Sequence, residues 1–328
     1  MLKLLVLIFS ITSFALILHF SYSSNGATRA SIENPTKKWK LLDIYGDAGG
    51  EDQEEEQEFR LPMAMSLPAQ VARHPQFSVN FLRDYYAKQA QLRVKQLRTI
   101  NSKTKFATLY NVLVPEVYCP NLVRVGNVND GGKWVCNPRA MPKENCSIYS
   151  LGLRDDISFD REIQEFNDNR CQIYGYDAVQ QQANTVQAYA KINGKAQKMK
   201  ITPETNLTMN ESSMEDLLRS NRDNYTEILK MDIEGAEYST LPKFLDHYQP
   251  CQIYLEMHGE SLQMRDLLYQ IARKGYYLFF YEINGDSLKA CEYSFIHEDC
   301  MKRYSVFMLA PYLKSLFPEK VSTGVSPH

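Results

Sequence analysis

Ile-Leu-Lys-Met-Asp-Ile-Glu-Gly-Ala-Glu (228–237) is the stretch whose reading decides the fold of this chain. Ile228 to Met231 is a short, mostly apolar run with the length of a buried strand. Asp232, Glu234 and Glu237 follow it, with Gly235 between the last two. An apolar strand, an acidic tip, a glycine and then a helix is how an α/β domain presents chemistry at the carboxyl edge of its sheet. An ordinary strand end with solvated acids has the same local pattern, so the flanking segments decide between the two.

Toward the carboxyl terminus, the pattern predicts a helix over 237–247, a strand over 252–256 and a helix over 261–274. Two last strands are expected at 276–281 and 304–309. Toward the amino terminus lies a strand over 147–151 that ends at Gly152, followed by the loop Leu153-Arg154-Asp155-Asp156. Ser158 is placed to cap a helix reaching about Asn167, with Asp160 favourable in its first turn. A second strand over 172–176 ends in Asp177; a helix over 179–191 and a strand over 196–201 come next. Ser213-Met-Glu-Asp216 opens a short helix in the manner of a capping box. Alternation repeated this often argues for a doubly wound α/β sheet. Asn129-Asp130-Gly131-Gly132 between apolar runs predicts a hairpin at the entrance to this domain.

The amino-terminal part reads differently. Leu4 to Phe20 is almost wholly apolar and follows Lys3, which predicts a signal anchor over 1–22 with a luminal body, or a cleaved leader. Residues 23–70 contain the run Glu51-Asp52-Gln53-Glu54-Glu55-Glu56-Gln57-Glu58 and are expected to form a flexible stem, the acids serving as a solvated spacer. Residues 71–114 are expected as an amphipathic helical lead-in, 115–314 as the main domain and 315–328 as a tail. Sequons at Asn145, Asn206, Asn210 and Asn224 agree with a secretory route, and Asn206 and Asn210 are the expected glycosylation sites because their surroundings are polar. In an oxidising lumen the seven cysteines should pair, with one left over. Cys119–Cys136 and Cys291–Cys300 are plausible local bridges, and such pairing argues against a cysteine nucleophile. A formal net charge of −2 gives no reason to expect nucleic acid as a partner.

Three strand ends carry polar groups: Gly152 with Asp155 and Asp156, then Asp177, then Asp232 with Glu234. Glu256 and His258 join the third from the next strand. An acid at the second strand end, 25 residues after the glycine turn, suits the two ribose hydroxyls of a nucleoside. A doubly wound sheet brings these ends to one crevice. His258 is the natural general base, because an imidazole ordinarily titrates nearest neutrality; Asp232 is its rival and Glu256 an orienting group. Glu237 reads as a first-turn acid favoured by the helix dipole.

Ile-Leu-Lys-Met-Asp-Ile-Glu-Gly-Ala-Glu (228–237) together with Ile-Tyr-Leu-Glu-Met-His (253–258) resembles the FkbM-type S-adenosylmethionine-dependent methyltransferases. Val-Asn-Asp-Gly-Gly-Lys-Trp-Val-Cys (128–136) and Tyr-Ser-Leu-Gly-Leu-Arg-Asp-Asp-Ile-Ser-Phe-Asp (149–160) resemble the animal branch with an amino-terminal membrane anchor. The resemblance spans roughly residues 115–310. It implies a class I methyltransferase (Rossmann-like) fold, seven strands with the last antiparallel, behind the helical stem. It also implies S-adenosyl-L-methionine as cofactor, held by Gly152, Asp156, Asp177 and Asp232. The catalytic set it points to is Asp232, His258 and Glu256. One departure is Arg154, where such enzymes carry a second glycine; arginine lacks glycine's freedom at positive φ. The leading expectation is a luminal O-methyltransferase in the Golgi membrane acting on a glycan or small polyol. A metal-dependent glycosyltransferase using Asp232 and Glu234 as ligands is the rival enzyme, and Arg154 keeps open a non-catalytic binding module. No metal is otherwise expected.

Overall fold

The computed structural model describes residues 79–317. The expected anchor, the stem, the first residues of the lead-in and most of the tail lie outside them. Among the described residues, no helix is long and apolar enough to cross a membrane.

Two helices lead in, α1 (Val79–Arg98) and α2 (Phe106–Val112). Then come β1 (Val117–Tyr118) and the hairpin β2 (Leu122–Val125) and β3 (Lys133–Cys136). The alternating part runs β4 (Ser147–Leu151), α3 (Ser158–Phe166), β5 (Gln172–Asp177), α4 (Ala183–Ala190) and β6 (Gly194–Lys198). Two short strands, β7 (Lys200–Ile201) and β8 (Glu211–Ser212), pair with each other before α5 (Met214–Asn221). It continues with β9 (Ile228–Met231), α6 (Glu237–Phe244), β10 (Gln252–His258) and α7 (Ser261–Arg273). It closes with β11 (Tyr276–Ile283), β12 (Ala290–His297) and β13 (Phe307–Met308).

Seven strands form one sheet in the order β11-β12-β10-β9-β4-β5-β6, and only β12 runs antiparallel to its neighbours. This is the doubly wound order of the class I methyltransferase fold. The central strands β4 and β9 are buried along their whole length, as expected of parallel strands covered on both faces. Lys230 is tolerated in β9 because its ammonium donates to the Gly152 carbonyl at 2.8 Å.

Register decides where the chemistry sits. Leu151 pairs with Met231 and with Tyr176, and Met231 pairs with Leu255. The residues that follow them, Gly152, Asp177, Asp232 and Glu256, therefore stand at one level at the carboxyl side of four adjacent strands, with β10 running on to His258.

The last expected strand was misplaced. The seventh strand is Ala290–His297, while the segment 304–309 contributes only Phe307–Met308, paired with Val117–Tyr118. Glu292 and Ser294 interrupt the apolar run of β12; Glu292 is paired with Lys133, and Ser294 is buried. The helix after Asp177 starts at Ala183, not 179, because Asp177 Oδ1 accepts the Val179 N–H at 2.7 Å and Asp155 Oδ1 the Gln182 N–H at 2.9 Å. Ser158 does not cap α3: its N–H goes to Asp156 Oδ1 at 2.8 Å, and its Oγ accepts the Asn127 N–H at 3.0 Å. Asp160 is fully buried under Tyr189, whose hydroxyl donates to it at 3.0 Å. Ser213 does cap α5, accepting the Asp216 N–H at 3.2 Å.

Cys119–Cys136 forms as expected and ties the hairpin to the chain entering it. Cys300 bonds Cys251 rather than Cys291. The antiparallel pairing of Gln252 with Ile296 brings Cys251 to the Cys300 end of β12, while Cys291 sits at the opposite end, across from Met257. Cys291 is the buried free thiol. Cys146–Cys171 joins the starts of the parallel neighbours β4 and β5, where Ser147 pairs with Gln172.

Val94 and Leu97 of α1 and Tyr110 of α2 share one buried cluster with the sheet. Glu116 clips the chain end to this body: fully buried, it accepts the N–H groups of Tyr312 at 2.7 Å, Leu313 at 2.9 Å and Leu278 at 3.2 Å. Burial nonetheless pushes its carboxyl up to about 7.

Candidate active site

Four loops meet at the carboxyl ends of the strands. After β4 the chain turns through Gly152 at φ +81°, then Arg154 and Asp155 at φ +48° and +60°. A side chain on Gly152 would put Cβ 1.8 Å from the Asp232 carbonyl oxygen, so glycine is what lets the first and central loops touch. Arg154 does adopt the left-handed conformation that favours glycine. Its N–H donates to Asp177 Oδ2 at 2.7 Å, and its mostly exposed guanidinium reaches toward Glu234 at 3.8 Å.

Asp177 is half-buried at the end of β5. Each of its oxygens takes one backbone N–H, from Arg154 and from Val179, both at 2.7 Å. A carboxylate oxygen has a second lone pair, so the ends that suit ribose hydroxyls remain available. Asp156 is occupied otherwise: its oxygens hold Ser158 N at 2.8 Å and Asn127 Nδ2 at 2.9 Å, joining the hairpin to α3. The expected cofactor contact of Asp156 thus has a structural rival in these bonds.

Across the crevice, β9 and β10 bring Asp232, Glu234, Glu256 and His258 together. His258 Nε2 lies 3.9 Å from Asp232 Oδ1, 3.7 Å from Glu234 Oε2 and 3.7 Å from Glu256 Oε1. Its Nδ1 lies 3.5 Å from Glu237 Oε1. Sequence reasoning treated Glu237 as a helix-start acid. It is fully buried, and the same Oε1 also accepts the Ile233 N–H at 3.0 Å.

The charges answer one another. Glu237 foremost, against burial and with help from Glu256 and Asp232, raises the His258 imidazole to about 9. Burial foremost, then the neighbouring Glu292 and Asp232, raises the Glu256 carboxyl to about 8. Both shifts favour the protonated forms, an imidazolium at His258 and a carboxylic acid at Glu256. That direction works against His258 as a base, the role expected of it, and its rival Asp232 lies 3.9 Å from the imidazole.

Two further residues escaped the sequence reading. Lys133 of β3 is almost wholly buried and forms an ion pair with Glu292 of β12. Burial works to lower the Lys133 ammonium, but Glu292 and Asp232 hold it above its ordinary range. Trp134 Nε1 donates to Glu282 Oε2 at 2.5 Å, and Arg124 Nε reaches the same oxygen at 3.0 Å. These contacts dock the hairpin on β11 and β12, so that its tip roofs a cleft of about 700 Å³. Asn129 to Gly132 line one side, Asn284 to Ser287 another, and Glu234, Glu256 and His258 the floor. The advance signals were the glycine pair in the hairpin turn and the family motif over 128–136, which contains Lys133 and Trp134 but gave neither a role.

A seven-stranded sheet in this order, with acids at its second, fourth and fifth strand ends around one crevice, defines a Rossmann-like methyltransferase architecture. The chain belongs to the methyltransferase-domain family Methyltransf_22, which matches residues 78–297. Among solved structures, it is similar to an arsenic(III) S-adenosylmethionine methyltransferase from Chlamydomonas reinhardtii. The two are 12% identical over 67% of this chain and 73% of the other, with a TM-score of 0.30. No curated protein sequence matches the chain. Membership in the family implies S-adenosylmethionine as the cofactor.

Proposed function

We propose that this chain is an S-adenosylmethionine-dependent O-methyltransferase of the secretory pathway, anchored by residues 1–22, whose acceptor is a hydroxyl of a glycan or small polyol. Its motifs favour the FkbM-type branch with an amino-terminal anchor. The observation that carries the reading is the alignment of Gly152, Asp177, Asp232 and Glu256 on four adjacent strand ends, beside a cleft roofed by the hairpin. Three disulfides support an oxidising compartment. Asn206 and Asn210 are exposed, as glycan acceptors must be.

When bound, the cofactor supplies an electrophilic methyl group on sulfur. Asp177 would hold its ribose hydroxyls, and the Gly152 turn, tied down by Lys230, would cradle it. Asp232 stands beside the cleft and takes the proton of the acceptor hydroxyl. Protonated Glu256 donates a hydrogen bond to an acceptor oxygen, and cationic His258 steadies the charge that develops there. The hairpin and the 284–287 loop exclude water and orient the acceptor.

Titration of the full-length chain with S-adenosylmethionine tests this. Saturable binding is expected, weakened about tenfold by Asp177→Asn, which keeps an acceptor for the backbone but removes the charge. Folded protein that releases no heat with the cofactor would sink the proposal.

A further inference from the structure

We propose that Asp232, Glu234 and His258 form a divalent-cation site on the floor of the cleft, through which an oxygen-rich acceptor is held. The inference rests on reading this cleft as the acceptor site, and its test is independent of that reading. One ligand atom from each of the three residues lies within 4.8 Å of the others. Asp232, Glu234 and Glu256 fan around His258 Nε2 at 3.9, 3.7 and 3.7 Å. All three lie beyond ordinary hydrogen-bond reach. Ligands that share one ion at roughly 2.0–2.2 Å stand about 3 to 4 Å apart, and both proposed carboxylate ligands lie within that range of His258 Nε2.

Glu237 supplies a second, independent observation. It is fully buried, its Oε2 finds no donor, and its Oε1 faces His258 Nδ1 at 3.5 Å, an imidazole nitrogen that itself has no good hydrogen bond. A histidine that ligates through one ring nitrogen typically gives the other N–H to a carboxylate, which fixes tautomer and ring orientation. Glu237 stands where that carboxylate belongs.

Charge points the same way. Five acidic side chains, Asp232, Glu234, Glu237, Glu256 and Glu292, crowd this corner against Lys133 and His258, and Lys133 is taken up by Glu292. Glu234 is turned into the crevice by a left-handed backbone at φ +56°, with Gly235 at +101° beside it. Mixed imidazole and carboxylate donors suit Mn²⁺ or Zn²⁺ better than a softer ion. Neighbouring hydroxyls of a sugar or polyol could complete the shell. An ion there would displace the Nε2 proton of His258, supply the positive charge given above to the imidazolium, and make a bound hydroxyl more acidic, with the free oxygen of Asp232 left to accept its proton.

The test is titration of the full-length, metal-stripped chain with Mn²⁺ alone, followed by calorimetry and by the paramagnetic resonance signal of free Mn²⁺. One ion per chain is expected, bound at least tenfold more weakly by Glu234→Gln, whose exposed side chain carries no folding role, and by Asp232→Asn. Glu260→Gln, an exposed acid just outside the cleft, should leave binding unchanged. No saturable binding, or equal weakening by Glu260→Gln and Glu234→Gln, overturns the proposal; the latter marks diffuse attraction to an acidic surface. Binding of S-adenosylmethionine without Mn²⁺ binding removes the cation site and leaves the methyltransferase reading standing. Mn²⁺ bound by a chain that ignores the cofactor does the reverse.

Discussion

Replacing Gly152 by alanine tests whether the cofactor loop and the central strand end meet only because no side chain stands between them. The added Cβ would lie 1.8 Å from the Asp232 carbonyl oxygen, about 1.6 Å short of ordinary contact. That oxygen belongs to backbone and cannot swing aside, so the two loops must part. Gly152 also sits at φ +81°, where an alanine costs roughly 1–2 kcal/mol before any contact is counted. With the contact added, about 3 kcal/mol is a fair sum, or a melting point lowered by roughly 6–12 °C for a domain of this size. A displacement of order 1 Å between groups that jointly hold a ligand costs about a hundredfold in function. Gly235→Ala is the control, because its Cβ meets nothing within 4 Å although its φ is +101°. It should show the conformational cost alone, with cofactor affinity retained. Thermal unfolding and cofactor titration of both variants provide the comparison. If Gly152→Ala melts and binds S-adenosylmethionine like the parent chain, the argument that glycine sets this contact is wrong.

Three further outcomes follow from buried groups. Glu116 ordinarily titrates near 4.5 and is raised to about 7 in the folded chain, so the fold holds its proton more tightly than the unfolded chain does. That stabilisation is complete below about pH 4.5 and is lost as pH rises through 7. It amounts to about 3 kcal/mol, visible as a falling urea midpoint between pH 5 and 8 that Glu116→Gln flattens. Lys133→Met strands Glu292 without its cation and should cost roughly 3–5 kcal/mol in chemical denaturation. The double change with Glu292→Gln should recover much of it, and a simple sum of the two losses would contradict the pairing. Cys291 is buried, and burial pushes its thiol well above the ordinary range. A thiol reagent should therefore find no reactive cysteine in the native chain and one after denaturation without reductant; two or more would disprove the disulfide set.

The strand ends Gly152, Asp177 and Asp232 could be found by reading along the chain because each closes a local apolar run. The periodicity of a buried parallel strand is written in neighbouring residues. Glu256 and His258 followed for the same reason. The hairpin was legible in its Asn-Asp-Gly-Gly turn, and Cys119–Cys136 in its closeness.

What stayed hidden depends on partners far away in sequence. Strand β12 is interrupted by Glu292 and looks broken until Lys133, 159 positions earlier, is seen to neutralise it. The Cys251–Cys300 bridge depends on which ends of two antiparallel strands lie side by side, and spacing does not encode that. Glu237 looked like a helix-start acid, which it is; its second role exists only because β10 delivers His258 to it. His258 itself was identified by residue type, but its charge state was not. An isolated imidazole titrates near neutrality, and only the field of carboxylates gathered from three different elements lifts it to about 9. Local pattern thus determined which residues reach the crevice. Long-range packing decided what they do there, because electrostatic environment is a property of neighbours in space.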